Sequence, residues 1–559
     1  MSGVGDSNSL SNERPASYRG LLVILACAIL WRLPYITHPI CDIDEACYAA
    51  FAVGVMDGGV EYVDVADLKF PAIYWTYAAV FEVAGRYNMH AVHALATLFA
   101  LATAAVLYLF ALRTVGPTAA WWTAFLYASL VTFFPQNLAA NCELFMNLPY
   151  AGCAYALWRV GLGRNAIAWS AAAGALAGCA ILYKQIAAAV VATAGIQFAL
   201  LWYVRRLSTA KLFGAGGAFA FGLAAPLAAV AGYFQARGAF DAFWFWTIDY
   251  LRWYIAASGV HQSYLIGVAV VFLPFVLAYG AAWVPAFSGL RRAVIDAVRI
   301  FRTRSATEEQ SAFVLTAIWL VLSIAAPLSS PRMYPHYWIQ YLPPLSLLAG
   351  LSIATLADRS TWYGRFIAPT GSPLYRRPLF LGTLAACAIS WTYSWFYIGE
   401  TGPAPPYNSV DFRPAVDYLR THTRPGERAF VWGWFPPLYV HADLTPGTRF
   451  VNTQMFVNFA KDSAPREAPG WIPDAARTWI EHPQAWNMLE EDFAKRPPDL
   501  ILDTSPGNHH RFGRFPMREF PRLQRLVDAG YRLEITVGGV GIYRRVAPVA
   551  GTATSGATR

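Results

Sequence analysis

Cys41-Asp42-Ile43-Asp44-Glu45-Ala46-Cys47-Tyr48 places three carboxylates directly after the first hydrophobic segment of the chain. No basic residue within this stretch neutralises them. Ionisable groups at a membrane boundary are costly to shield, and by default they mark function. The stretch therefore splits the chain into a hydrophobic scaffold and a polar mouth. Asp44 is the first candidate for chemistry there, on the non-cytoplasmic face.

The bulk composition supports that division. The chain has 559 residues, 56% hydrophobic and 14% charged, with a mean hydropathy of +0.36. Soluble domains carry about 25% charge, so an integral membrane protein with some soluble mass is expected. Aromatic residues make up 15%, including 21 Trp, which suits interfacial belts. The net charge of +9 comes from basic residues between apolar runs, as positive-inside topology requires. A nucleic-acid partner is not expected, because it needs a basic face on a soluble module. Seven cysteines include no CxxC or Cys/His metal spacing. Cys27, Cys153, Cys179 and Cys387 read as small core residues, whereas Cys41, Cys47 and Cys142 fall near the polar mouth and leave a disulfide open.

Apolar runs predict about eleven spans. They cover about 21–35, 89–112, 119–139, 144–158, 166–182, the run from Lys184 to Arg205, 212–235, 265–287, 312–328, 337–356 and 379–397. Residues 1–20 form a cytoplasmic segment before an uncleaved first span, and 37–88 form the first outer loop. Within that loop, Pro71 to Ala84 is too short to span and reads as an interfacial helix. Trp- and Tyr-rich residues 237–264 read as a second outer loop. Arg291, Arg292, Arg299, Arg302 and Arg304 read as a basic inner loop, either a topology determinant or a site for anionic lipid. After Gly399 the composition changes. Pro403, Pro405 and Pro406 mark a linker, 411–420 a helix, 428–433 and 500–503 buried strands, and 530–545 a hairpin turning at Gly538-Gly539. The expected architecture is mostly α: a polytopic helical bundle over 21–398, an extracytoplasmic α/β domain over 399–546, and a disordered tail over 547–559.

Four polar groups stand out. Asp44 and Glu45, with Tyr48 and Asp42 beside them, offer a general base for a hydroxyl; the alternative is a solvated acid or helix cap. Lys69, ahead of Pro71, Tyr74 and Trp75, is placed to meet a lipid phosphate as a point charge; the alternative is a snorkelling lysine. Glu143 is a second candidate acid, with a plain helix-dipole carboxylate as its rival, and Lys184 interrupts a long apolar run. Arg332, Tyr334, His336 and Tyr337 close the list, Arg332 offering a fork for phosphate oxygens. Metal-ligand spacing is not evident, although Asp42, Asp44 and His336 are candidates to meet a divalent cation in space.

Asp44-Glu45 with Tyr48-Ala49, Lys69-x-Pro71-x-x-Tyr74-Trp75, and His336-Tyr337 with Leu342-Pro343-Pro344 together resemble glycosyltransferase family 39, the group of the protein O-mannosyltransferases and the lipid A aminoarabinose transferases. The resemblance covers roughly residues 20–360. It implies a GT-C fold, a polyprenyl-phosphate-linked sugar donor, a hydroxyl acceptor of the cell envelope, and inverting transfer at the outer face of a bacterial inner membrane. By position it makes Asp44 the base or acceptor-positioning acid, Lys69 the phosphate ligand and Glu143 the second acid. Cys47 and Leu68-Lys69-Phe70-Pro71 depart from the aminoarabinose pattern, so neither that sugar nor lipid A follows. A transporter or flippase of lipid-linked sugars is the alternative. It calls for charges within spans and repeat symmetry, and no inverted repeat is visible.

Overall fold

The computed structural model describes residues 18–133, 139–163, 165–258, 273, 276–329, 334–356, 378–399, 410–424, 426–457 and 481–546. Arg332, the linker prolines, residues 265–272, 274 and 275 of the predicted span at 265–287, and the tail lie outside the described residues.

Five helices open the chain: α1 (Tyr18–Ile36), α2 (Ile43–Met56), α3 (Ala72–Ala84), α4 (Met89–Thr114) and α5 (Pro117–Leu130). Helices Cys142–Val160, Ala166–Tyr183, Ala189–Tyr203, Thr209–Ala236, Gly280–Thr303, Glu308–Ala325, Leu342–Leu356 and Pro378–Gly399 follow, with short helical pieces between. Six segments among the described residues are long and apolar enough to cross a membrane: Tyr18–Ile36, Met89–Thr114, Ala166–Tyr183, Gln185–Tyr203, Thr209–Ala236 and Glu308–Ala325. The expected count of about eleven is therefore not reached among them. The third run shows why, because its helix stops at Leu130.

Packing relies on small residues where helices touch. A Cβ on Gly174 would run into the Phe219 carbonyl, and one on Gly222 into the Ala171 carbonyl. Helices Ala166–Tyr183 and Thr209–Ala236 thus meet backbone to backbone, the close approach that small residues allow between apolar helices. The basic stretch at 291–304 is helical rather than a loop. Arg292 pairs with Asp296 one turn on (3.3 Å) and with Glu309 (2.7 Å), and lies 4.1 Å from the centre of the Phe313 ring. Spacing at i and i+4 keeps these charges on one helical face.

The C-terminal part carries a five-stranded sheet of order β2-β1-β3-β5-β4: β1 (Arg428–Trp432), β2 (Thr445–Pro446), β3 (Leu500–Asp503), β4 (Tyr531–Val537) and β5 (Val540–Arg545). β1 runs parallel to both β2 and β3, while β3/β5 and β4/β5 are antiparallel. Ala429 to Trp432 and Leu500 to Asp503 are buried without alternation, as central strands covered on both faces require. The hairpin turns at Gly538 and Gly539, whose φ angles of 55° and 71° suit a two-residue turn.

This sheet-bearing unit is bolted to the first polar loop. Arg86 pairs with Asp57 (2.6 Å) and Asp443 (2.7 Å), and Tyr87 donates to the Leu444 carbonyl (2.7 Å). The Ala66 N–H donates to the Arg449 carbonyl (2.8 Å), and Lys495 pairs with Asp64 (3.2 Å). The seven cysteines are all free.

Candidate active site

The acidic stretch folds as the start of α2. Asp42 is its N-cap and accepts from the Asp44 N–H (3.1 Å), while Glu45 completes a capping box by accepting from the Asp42 N–H (3.2 Å). Two of the three carboxylates thus have structural partners, and Asp44 stands on the first turn facing other segments.

Glu45 is fully buried and turned into the core. It accepts from the Tyr35 hydroxyl and from the Cys41 (2.8 Å) and Ala140 N–H groups, and lies 3.3 Å from His93 Nε2. The Tyr35 and His93 rings lie tilted against each other, with centres 4.0 Å apart. This cluster ties α1, α2 and α4 to the segment before Cys142. Glu45→Ala is expected to cost about 3–5 kcal/mol, because it strands a buried histidine and several N–H donors. The check is a thermal melt in detergent, with Glu45→Gln restoring part of the loss through its remaining acceptor.

Asp44 is surrounded by basic groups from far along the chain. Lys69 Nζ lies 3.7 Å from Asp44 Oδ2 and 3.6 Å from Asp67 Oδ2, and 4.8 Å from the centre of the Tyr48 ring. Tyr48, one turn along α2, donates to Asp44 Oδ2 (3.3 Å). His336 presents Nε2 to Asp44 and Nδ1 to Asp42, each at 3.8 Å. Asn141 donates to Asp42 Oδ2 (3.1 Å). Beside this group, Lys184 donates to Glu143 and stands 3.9 Å from the centre of the Tyr337 ring. Tyr334 stacks on His336 at 5.7 Å. Tyr74 lies beneath, stacked on Phe51 at 3.8 Å and edge-on to Tyr48.

Local structure explains these placements. The Ala166–Tyr183 helix ends at Lys184, whose extended backbone begins a tight turn into Gln185–Ala188. Gln185 braces that turn by donating to the Leu68 carbonyl (3.0 Å), next to Lys69. Glu143 sits in the first turn of Cys142–Val160.

The charges divide the two aspartates. Burial pushes the Asp42 carboxyl up to about 7, and the neighbouring Asp44 charge adds to the push. Burial acts on Asp44 in the same direction, but Lys69, His336 and Lys184 outweigh it and hold its carboxyl below the usual range. Lys69 is likewise disfavoured by burial, yet Asp44 and Asp67 raise it well above its ordinary value. Two carboxylates pushed apart in this way suit one proton-holding and one ionised role. The unfolded chain ionises Asp42 near pH 3.9, so stability due to its protonated form falls as pH rises from there through about 7. Asp42→Asn keeps a good N-cap. It is expected to raise the melting temperature more at pH 8 than at pH 5, read by thermal melts at both.

Residues 69–230 match the family model described as dolichyl-phosphate-mannose-protein mannosyltransferase. Crystal structures of ArnT from Cupriavidus metallidurans superpose along almost the whole chain. The form bound to undecaprenyl phosphate gives a TM-score of 0.56 at 15% identity, over 96% of this chain and 100% of that one. The apo form gives 0.58 at 14% identity, with the same coverage. The chain has the GT-C fold. The archaeal oligosaccharyltransferase AglB from Archaeoglobus fulgidus, in complex with an inhibitory peptide and a dolichol-phosphate, is a looser likeness at 0.48 and 13% identity, over 96% of this chain and 76% of that one. By sequence, no curated protein matches.

Within this GT-C fold the sequence-predicted residues Asp42, Asp44, Tyr48, Lys69, His336, Glu143, Lys184, Tyr334 and Tyr337 gather at one end of the bundle. Glu45 and Tyr74 are buried behind them, and Arg332 lies outside the described residues. A cation shared by Asp42, Asp44 and His336 does not fit, since the carboxylates face opposite ring nitrogens and Lys69 already faces Asp44. Cys41, Glu45 and His93 bring ligand atoms within 4.8 Å of one another, but there Glu45 is occupied as a hydrogen-bond acceptor.

Three contributors escaped the sequence reading. Asp67 shares Lys69, and its only signal was its position two residues upstream. Asn141 supports Asp42, and a neutral asparagine beside Cys142 and Glu143 carries no charge signal in the sequence. His510 arrives from the sheet-bearing unit: burial lowers it to about 4, and the Asp44 charge opposes that shift. His510 and Arg511 both take left-handed backbone, with φ of 50° and 63°. Non-glycine residues hold such conformations where surrounding structure over-determines them, and these cluster at functional sites.

Proposed function

We propose that this chain moves a sugar from a polyprenyl-phosphate-linked donor to a hydroxyl acceptor of the cell envelope, at the outer face of a bacterial inner membrane and with inversion. The reading is supported best by one observation: an ionised carboxylate, Asp44, ringed by Lys69 and His336 with Lys184 beyond, at one end of an apolar bundle. The fold shared with ArnT, which binds undecaprenyl phosphate, agrees with it.

In the proposed step the acceptor oxygen forms a bond to the anomeric carbon as the bond from that carbon to the phosphate oxygen breaks. The acceptor proton passes to Asp44. The polyprenyl phosphate leaves as an anion held by Lys69 and Lys184, and by Arg332. His336 donates a ring N–H to the phosphate. Glu143 keeps Lys184 aimed at the site through their ion pair. Fixed cations at a leaving phosphate supply much of the catalysis because they need no reorganisation.

The test is transfer by the purified full chain from a synthetic polyprenyl-phosphate sugar, with product and freed polyprenyl phosphate measured together. A panel of donors and of envelope extracts as acceptors identifies both substrates. Sugar-lipid movement across a vesicle membrane without bond cleavage would replace this reading with a flippase.

A further inference from the structure

A cavity opens at the other end of α2. Asp44 lies in the first turn of that helix and Asp57 follows its last residue, which puts them roughly 20 Å apart at the rise of an α-helix. There the first polar loop and the sheet-bearing unit enclose a groove of about 900 Å³, lined by seven basic and five acidic side chains.

The acids are spent within the fold. Asp57 and Asp443 share Arg86, Asp64 takes Lys495, Asp492 takes Arg449, and Glu427 takes Arg544. The remaining guanidinium groups are not so engaged. Arg420 donates to the His441 carbonyl (2.7 Å) and Arg428 donates twice to the Pro446 carbonyl (2.9 and 2.7 Å). Arg424 meets Glu427 through its backbone, the N–H donating to the carboxylate (3.0 Å) and the carbonyl accepting from the Glu427 N–H (3.1 Å). Among the described residues, none of Arg420, Arg424, Arg428 and Arg496 has a carboxylate partner within ion-pair distance. Burial and the like charge of Arg496 destabilise the charged form of Arg428, and outweigh the opposing charges of Asp64, Asp57 and Asp499. An anion placed between the two arginines would relieve their repulsion. Guanidinium groups hold phosphate and carboxylate through paired N–H donors, which suits such a ligand.

We propose that this groove binds an anionic glycan, a saccharide chain carrying carboxylate or phosphate groups, on Arg420, Arg424, Arg428 and Arg496. Resting on the transferase reading, it is the outlying subsite for an acceptor long enough to reach Asp44 along α2. Anionic sugar chemistry is favoured over a neutral glycan by the unpaired guanidinium groups, and over a small ion by the volume.

The experiment is calorimetric titration of the full chain in detergent with tetragalacturonate, with neutral maltotetraose as control. Tetragalacturonate is expected to bind and maltotetraose not to. The triple variant Arg420→Gln, Arg424→Gln, Arg496→Gln should weaken binding at least tenfold, whereas Arg532→Gln, an exposed arginine of β4 outside the groove, should leave it unchanged. Absence of binding, or equal binding by the triple variant, overturns the subsite. A parallel arm uses nanodiscs with phosphatidylglycerol; binding confined to those assigns the groove to a lipid headgroup and overturns the glycan. Because binding is read without turnover, a chain that binds tetragalacturonate but transfers no sugar sinks the transferase reading alone.

Discussion

Asp44→Asn is expected to lower sugar transfer by about 10²–10⁴-fold while the protein stays folded. The substitution keeps the shape of the side chain and removes its charge and its ability to take a proton. The N-terminus of α2 is not at stake, because Asp42 caps it and Glu45 closes the box. Asp44 is also not the residue that ties the loop to the core, since Glu45 does that through Tyr35, Ala140 and His93. The loss should therefore appear in kcat rather than in expression or melting temperature. The sign of the pH dependence follows from its surroundings. Lys69, His336 and Lys184 hold the Asp44 carboxyl below its ordinary value against burial. The ionised base then persists on the acid side, and activity should fall only below the usual carboxylate range near pH 4. A base so stabilised is weak, which fits proton transfer late in a step driven by departure of the phosphate. Full turnover by the Asn variant would end the assignment.

How far the sequence led can be argued from particular residues. Lys184 was legible because it interrupts an apolar run, where a charged group is costly, and His336 because it stands beside Arg332 and two tyrosines. The helix ends were close: the run expected at 166–182 forms Ala166–Tyr183, and that at 89–112 forms Met89–Thr114. The hairpin was legible from Gly538-Gly539. The division of labour among Asp42, Asp44 and Glu45 was not legible. Adjacent carboxylates look alike in sequence, and only the start of α2 decides which one caps, which one pins and which one faces Lys69. The stretch at 291–304 was read as a loop by its charge, although pairing of Arg292 with Asp296 at i and i+4 is a helical signal. The parallel pairing of β1 with β3, and the approach of His510 to Asp44, depend on long-range docking of the sheet-bearing unit. Local pattern carries no trace of such contacts.

Lys69→Ala should cut transfer by about 10²–10³-fold, the scale of removing one preorganised donor from a developing anion. Activity alone does not isolate that role. The ammonium stands between Asp44 and Asp67, so its removal also leaves two carboxylates close together without their cation. The repulsion would raise Asp44 and alter the base as well as the phosphate site. Affinity for the leaving group separates the two effects. Free undecaprenyl phosphate should bind the Ala variant at least tenfold more weakly, measured by competition with a labelled polyprenyl phosphate, whereas Asp44→Asn should bind it at least as well as the unaltered chain. Lys69→Arg should restore much of the binding, since it keeps the charge, but less of the turnover, since a planar fork does not place a point charge between the same two carboxylates. Unchanged affinity in the Ala variant would move the phosphate away from Lys69. Lys184, already paired with Glu143 and lying over the Tyr337 ring, would then receive it together with Arg332.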